Sequence, residues 1–393
     1  MPLLPFSKGR GAPARAVSDP PQQKSEPLVA VDLTRRGESF PSSYSGLARK
    51  GYRQNPIVYR CVRLIAEAAA SVPMRVSGKS QEEVNALLGC ATPLCPAGST
   101  LEAFFGQLQI AGSAYLEAVT LESRPVALRA LRPDRVEIAT SAKGQAMGWR
   151  VDRGGRRETV RIDPVTFRSP ILAMHLFDPL EPAAGHGPLE ASASAVHVHN
   201  EGARWVQALL RNSARPSGAL VYSGPPGDNR LTDQQFDRLK GEMQEQFQGP
   251  SAAGRPLLLE GGLDWRPMAM SPADMDFIEA RREAAREIAF AFGVPPMLLG
   301  IPGDNTYSNY REANLAFWRQ TVLPLAERFS AALSDWLTPW FGDTRVTLDL
   351  DAVPALSSER DALWSRVSAA PFLSDSERRA LLGLQPLEET HDA

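Results

Sequence analysis

The chain has 393 residues, a net charge of −2 from 43 basic and 45 acidic side chains, and 43% hydrophobic residues. That length exceeds one small core, so more than one substructure is expected. The charge balance excludes a strongly basic nucleic-acid binder, and no stretch approaches the ~18 apolar residues of a membrane span. Three cysteines exclude a secreted-type disulfide framework: Cys61 falls in an apolar helical pattern and reads as core, and Cys90 and Cys95 read as reduced thiols. Residues 1–27 lack a signal peptide's apolar run, so use in the cytosol, or in a particle assembled there, is expected.

Residues 1–50, rich in Pro, Ser, Gly and charge, read as a flexible arm or peripheral strand. Asn55-Pro56 starts a helix whose buried face is marked by Ile57, Cys61, Leu64 and Ile65, and which stops before Pro73. Ser80 and Glu83 form a capping box for a short helix ending near Gly89. Residues 100–111 read as helix. From Ala114 to Leu176 the period falls to two, and segments 115–119, 135–138 and 148–151 read as strands of one antiparallel sheet. Gly187-Pro188 opens a long helix to about Asn212, with Leu189, Ala193, Val196, Ala203 and Leu210 on or near one face. Residues 217–270 read as a compact unit: a strand at 219–222, a helix capped by Thr232 and Gln235 with Leu231 stapled on Phe236, and a hairpin pairing 257–259 with 263–265 around Glu260-Gly261-Gly262.

The next stretch is the most informative. A helix is expected over 272–293, opened by Ser271, Pro272 and Asp274 and closed by Gly293 before Pro295-Pro296. Phe277, Ala280, Ala284, Ile288 and Ala291 form one stripe; Asp276, Glu279, Glu283 and Arg286 form the opposite one. Glu279–Arg282 and Glu283–Arg286 are i,i+3 pairs. A polar loop follows at 300–308. A helix opened by Asn309 and Glu312 runs to about Leu337, with Leu315, Trp318, Val322, Leu325, Phe329, Ala332 and Trp336 at helical spacing and a kink near 320–324 caused by Pro324. Residues 346–351 alternate as a strand, and helices are expected near 357–370 and 374–382.

Catalytic patterns are sparse. Ser77-Gly78-Lys79-Ser80 resembles the end of a phosphate loop, but the required upstream glycine is Pro73, which has no N–H to offer, so a solvated turn and helix cap is expected. His197 and His199, two apart on a helix, point to different faces and form no metal pair. Asp349 and Asp351 share a strand face; they read as a solvated face, or, in a rival reading, as the paired carboxylates of an α+β hydrolase. No Gly-x-Ser-x-Gly elbow occurs. No metal, cofactor or catalytic residue is expected.

Several stretches resemble the Hong Kong 97-type portal family of tailed bacteriophages: Asn55-Pro56-Ile57-Val58-Tyr59-Arg60-Cys61-Val62 through Ser71-Val72-Pro73, Gly187-Pro188-Leu189-Glu190, Arg215-Pro216-Ser217-Gly218, Pro295-Pro296-Met297-Leu298-Leu299-Gly300, Asn305-Thr306-Tyr307-Ser308-Asn309, and Phe317, Trp318 and Pro324. The resemblance covers about residues 50–385 and extends to portals of gene transfer agents. It implies an α+β portal fold in a non-enzymatic dodecameric ring at a capsid vertex of a virion or phage-like particle. Double-stranded DNA would enter and leave through the ring. The terminase large subunit, a head–tail adaptor and the major capsid protein would be its partners. The implied parts are an arm (1–50), a wing (51–187 with the strand at 342–352), stem helices (188–214 and 272–299), a clip (215–271), a channel loop (300–308), a kinked helix (309–341) and a small crown (353–393). Gly303, Asp304, Asn305, Thr306, Tyr307 and Ser308 would face DNA, with Asp276, Glu279 and Glu283 as an acidic channel face. Leu259, Glu260, Gly261, Gly262 and Trp265 would lie at the docking end. A mildly acidic ring fits a channel that must not grip phosphates. A DNA clamp or adaptor ring is the other alternative, and would need a basic inner surface.

Overall fold

In a computed structural model of the chain, α1 (Tyr44–Leu47), capped by Ser43, and a wide π-helical turn at Ala48–Tyr52 lead into α2 (Pro56–Ser71). The structure describes residues 40–89, 98–141, 146–163, 165–166, 168–181, 184–211, 218–222, 232–247, 263–267, 277–301 and 307–384, all within the unit Phe40–Ala393. Leu47 is buried, so the packed body begins ahead of residue 50, where the arm was expected to end. Asn55 caps α2 because its side-chain oxygen accepts from the backbone N–H of Ile57 and Val58 at 3.0 and 3.1 Å, and Pro56 gives up only an N–H the helix start does not use. The buried face is Val58, Cys61, Val62, Ile65, Ala66 and Ala69; Ile57 and Leu64 are only half-buried.

β1 (Met74–Ser77) is followed by α3 (Gln81–Leu88). The expected capping box does not form: Ser80 makes no side-chain cap bond, and Glu83 instead faces Arg124 at 3.5 Å. α4 (Ser99–Ala111) packs on α2 and buries Phe104, Phe105 and Leu108 completely. At its end the backbones of Gly112 and Gly185 touch. A Cβ on Gly112 (φ +70°) would lie 2.4 Å from the Gly185 carbonyl carbon, and Leu176 N–H donates to Gly112 O at 2.7 Å. Only glycine permits that crossing.

The strands after it are β2 (Ser113–Leu121), β3 (Arg124–Leu131), β4 (Val136–Thr140), β5 (Ala146–Arg153), β6 (Arg156–Arg161) and β7 (Ile171–His175). They form two three-stranded antiparallel sheets, ordered β3-β2-β7 and β4-β5-β6, rather than one. The reason is the 3-10 turn at Pro133–Arg135, which ends β3's run and sends β4 to pair forward with β5. Tyr115, Leu131, Val136, Val151 and Ile171 form a second small core.

The long helix expected from 188 is two, α5 (Pro188–Ala191) and α6 (Ala193–Arg211). They part at Ser192, whose hydroxyl donates back to Pro188 O at 2.8 Å and competes with the helix ladder. β8 (Gly218–Tyr222), α7 (Asp233–Phe247) and β9 (Leu263–Pro267) follow. The Thr232/Gln235 capping box closes, with Gln235 N–H on Thr232 Oγ1 at 3.4 Å and Thr232 N–H on Gln235 Oε1 at 3.0 Å. β9 pairs antiparallel with β8; segment 257–259 lies outside the described residues, as does Leu231.

α8 (Phe277–Ala291) ends at Gly293 and a 3-10 turn at Pro296–Leu299. α9 (Tyr307–Phe317), a π-helical turn at Trp318–Val322 and α10 (Leu323–Phe341) then run as one interrupted rod. α10 passes through Pro339, beyond the expected end at Leu337. Phe329 lies against Phe104 and Phe105, with ring centroids 5.1 and 5.2 Å away, at the centre of the main core. β10 (Arg345–Leu348) pairs antiparallel with β1, then α11 (Ser357–Ser368) and α12 (Asp375–Leu381) complete the described chain.

Candidate channel and docking site

α8 buries Ala284, Ala285, Ile288 and Ala289. Ala280 of the expected stripe is exposed. Glu279 and Glu283 stand exposed on the opposite side, and both expected pairs form: Glu279–Arg282 at 3.3 Å and Glu283–Arg286 at 3.1 Å. Arg286 also lies 3.7 Å from Glu279. The described helix carries as many arginines as glutamates, so this face is a lattice of ion pairs rather than a bare acidic stripe. Such exposed pairs contribute little stability. Asp276 lies outside the described residues.

The expected 300–308 loop is shorter at its far end. Tyr307 and Ser308 belong to α9, and Asn309 sits inside the helix rather than at its cap. Gly303, Asp304, Asn305 and Thr306 lie outside the described residues. The kink has a specific form. Pro324 has no N–H to donate, and the turn just before it widens: Leu323 N–H bonds Trp318 O, five residues back. Thr321 Oγ1, on that widened turn, donates to Gly293 O at 2.6 Å and so ties it to the end of α8. Arg319 on the same turn bonds Glu359 of α11 at 2.5 Å. Sequence patterning locates the proline but not these ties, which join residues far apart in the chain.

At the other proposed site, Trp265 lies in β9 opposite Leu220. Leu259, Glu260, Gly261 and Gly262 lie outside the described residues.

The chemical candidates resolve into structural roles. The strand ends at Leu348, and Leu350–Ala352 is a 3-10 turn, so Asp349 and Asp351 do not share a strand face. Each has its own arginine: Arg75 on Asp349 at 2.8 Å, Arg360 on Asp351 at 2.5 Å. The hydrogen bond from Arg360, the largest influence, outweighs burial and, helped by Trp364, holds the Asp351 carboxyl below its usual range, which makes it a weaker base. His199 is buried with Nδ1 3.2 Å from Asn55 Nδ2, while Asn55 also donates to Asn200 Oδ1 at 3.0 Å. Burial, then Arg281, push that imidazole's pKa down. Ser77 ends β1, and Gly78-Lys79-Ser80 is the turn between β1 and α3. Cys61 is buried, and desolvation pushes its thiol up to about 12, as expected of core. Cys90 and Cys95 lie outside the described residues. Among the described residues no cluster of side chains is arranged to hold a metal ion, and no helix is long and apolar enough to cross a membrane.

One group escaped the sequence reading. Glu117, in mid-β2 and buried, accepts from Arg129 Nε at 3.0 Å and Arg153 Nη1 at 3.3 Å. It thereby joins the two sheets. A charged residue amid Ala114-Tyr115-Leu116 and Ala118-Val119 was the available signal.

The described residues build two three-stranded sheets, the packed pair α6 and α8, and the interrupted rod α9–α10. The family model for phage portal proteins matches residues 56–383. The chain belongs to the phage portal protein family. Within it, an uncharacterized protein of Rickettsia felis is 39% identical over 346 residues, covering 86% of this chain and 89% of that protein. A chain from the neck of a native gene transfer agent (GTA) particle computed with C12 symmetry is similar at 46% identity and a TM-score of 0.66, covering 89% of this portal-family chain and 96% of its own. An HK97-family phage portal protein from Corynebacterium diphtheriae shares the fold at 17% identity and a TM-score of 0.56, covering 80% and 99%. The portal resemblance and the α+β portal fold expected from the sequence therefore stand.

Proposed function

We propose that this portal-family chain is the portal subunit of a phage-like particle of the gene-transfer-agent kind. It assembles as a twelve-copy ring at one capsid vertex, and double-stranded DNA passes through that ring on packaging and ejection. The observation that carries the reading is the similarity, over nearly the whole chain, to a subunit of a GTA neck computed with C12 symmetry. Ile278 and Phe290, exposed apolar side chains on α8, support packing of this rod against another copy.

In this reading residues 51–187 and 342–352 form the wing, 188–214 and 272–299 the stem, 215–271 the clip, 309–341 the kinked helix and 353–393 the crown; the arm expected over 1–50 ends sooner, because Leu47 already packs into the core. Leu259–Gly262 and Trp265 lie where terminase and later a head–tail adaptor dock. The major capsid protein surrounds the wing. Gly303–Thr306, with Tyr307 and Ser308 at the start of α9, approach the duplex. Force comes from a separate motor, because the only phosphate-loop-like text lacks its upstream glycine. The ring is a passive, non-enzymatic conduit.

Native mass spectrometry and negative-stain imaging of the purified chain test this. Closed rings of about twelve copies are expected from the related neck. A protein that stays monomeric at high concentration in several buffers sinks the reading.

A further inference from the structure

The three-stranded sheet β4-β5-β6 has two free edges of opposite character. β6 is one edge, and its Arg156, Arg157 and Arg161 are exposed and have no carboxylate partner among the described residues. Open edges invite strand addition, and arginines on one select an acidic partner.

β4 is the other edge. It borders a groove of about 510 Å³ that carries Asp134, Glu137, Glu181 and Glu190 beside Val136 and Ile138, and whose remaining lining, Tyr44, Leu47 and Tyr115 included, comes mostly from α1, α4 and β2 of the same chain. Consecutive strand residues point to opposite faces. A groove touching all three of 136–138 therefore runs along the strand's edge rather than over one face. Among the described residues no Lys or Arg lines it. Asp134 and Glu137 hold arginines of their own chain at 2.7 and 3.3 Å, whereas the Glu181 carboxylate has no partner among the described residues.

We infer that the basic edge β6 of one copy docks on the acidic edge β4 of the next, so that the sheets continue head-to-tail from subunit to subunit. The occupant is a second copy of this chain. A contact between two different patches on each copy is the kind that closes into a ring when the rotation allows. Charge complementarity fixes direction, basic edge to acidic edge, and the unpaired backbone of both edges supplies strand-to-strand hydrogen bonds. The inference rests on the ring reading and adds which surfaces meet.

The test is a charge swap read by native mass spectrometry, with circular dichroism of each variant as the folding control. Arg156→Glu/Arg157→Glu on one edge, and Glu137→Arg/Glu181→Arg on the other, are each expected to lower the ring fraction about tenfold, because like charges then face one another. Combining all four substitutions should restore rings. If the unaltered chain forms no rings, the ring reading itself fails. If it forms rings and either two-residue variant assembles as well, the edge contact is wrong. The contact is also wrong if all variants fold and the four-residue variant stays dispersed. Variants that assemble normally but package less DNA would give the arginine edge to nucleic acid instead.

Discussion

Glu117 is a buried carboxylate held by two arginines, one from each of the two three-stranded sheets. Burial alone would raise its carboxyl pKa, but hydrogen bonds from Arg153 and Arg129, reinforced by their charge, outweigh it and hold the group below its usual range. A depressed folded-state pKa gives stability that is complete above the unfolded value of about 4.3, and lost as pH falls through the folded value. The urea midpoint of the dispersed protein should therefore hold from pH 7 to about 5 and then fall below that carboxylate range. Glu117→Gln should cost about 2 kcal/mol at pH 7, the scale of hydrogen bonds to a charged group. It should also flatten the acid limb relative to the unaltered chain. An unchanged difference between the two proteins across that range would show that Glu117 is not the link between the sheets. The charge was visible in the sequence. Its partners on β3 and β5 were not, since strand pairing decides them.

At the scale of elements, the rod α9–α10 shows how far patterning reaches. Pro324 predicts a break, and a break is present just ahead of it. The form of the break, a π-helical turn with Thr321 pinned to Gly293, depends on the chain just past the end of α8 reaching that turn. Thr321→Val should lower stability by about 1 kcal/mol, the usual worth of one hydrogen bond. Gly293→Ala should cost more, because Gly293 has φ +65° and a Cβ there would come within 2.8 Å of Thr321 Oγ1. Denaturant midpoints of both variants check this; Gly293→Ala at or above the stability of Thr321→Val would discount the clamp. Capping text behaved unevenly for a similar reason. Thr232/Gln235 and Ser374/Glu377 close as boxes, but Ser80/Glu83 does not, because the Ser80 backbone (φ −101°, ψ 27°) departs from the extended cap geometry.

At the scale of the whole molecule, the channel proposal turns on the segment between Ile301 and α9. In that proposal its one carboxylate, Asp304, would discourage stable phosphate contact, and a cation there would be repeated around the ring. Asp304→Lys should leave rings intact and impair DNA packaging or retention, because each neutralised phosphate adds grip. Deleting 303–307 should likewise spare assembly. Ring yield and packaged DNA measured on the same particles decide it. If both variants assemble and package normally, this loop does not face the duplex.

The sequence alone determined where most helices lie, though not all their breaks and caps, because caps, prolines and apolar spacing act within a few residues of one another. Asn55-Pro56, Gly293 with Pro295, and the stripe from Leu315 to Trp336 are local signals with local outcomes. It also determined the family, through scattered short texts whose order persists along the chain. Tertiary structure decided which strands pair. One expected sheet became two, the strand expected over 346–351 ended at Leu348, opposite Met74 where its partner β1 begins, and Asp349 and Asp351 were parted onto Arg75 and Arg360. Alternation in a strand says which side chains share a face and nothing about which neighbour lies beside it. That choice is made by distant segments competing for the same backbone hydrogen bonds and the same buried surface.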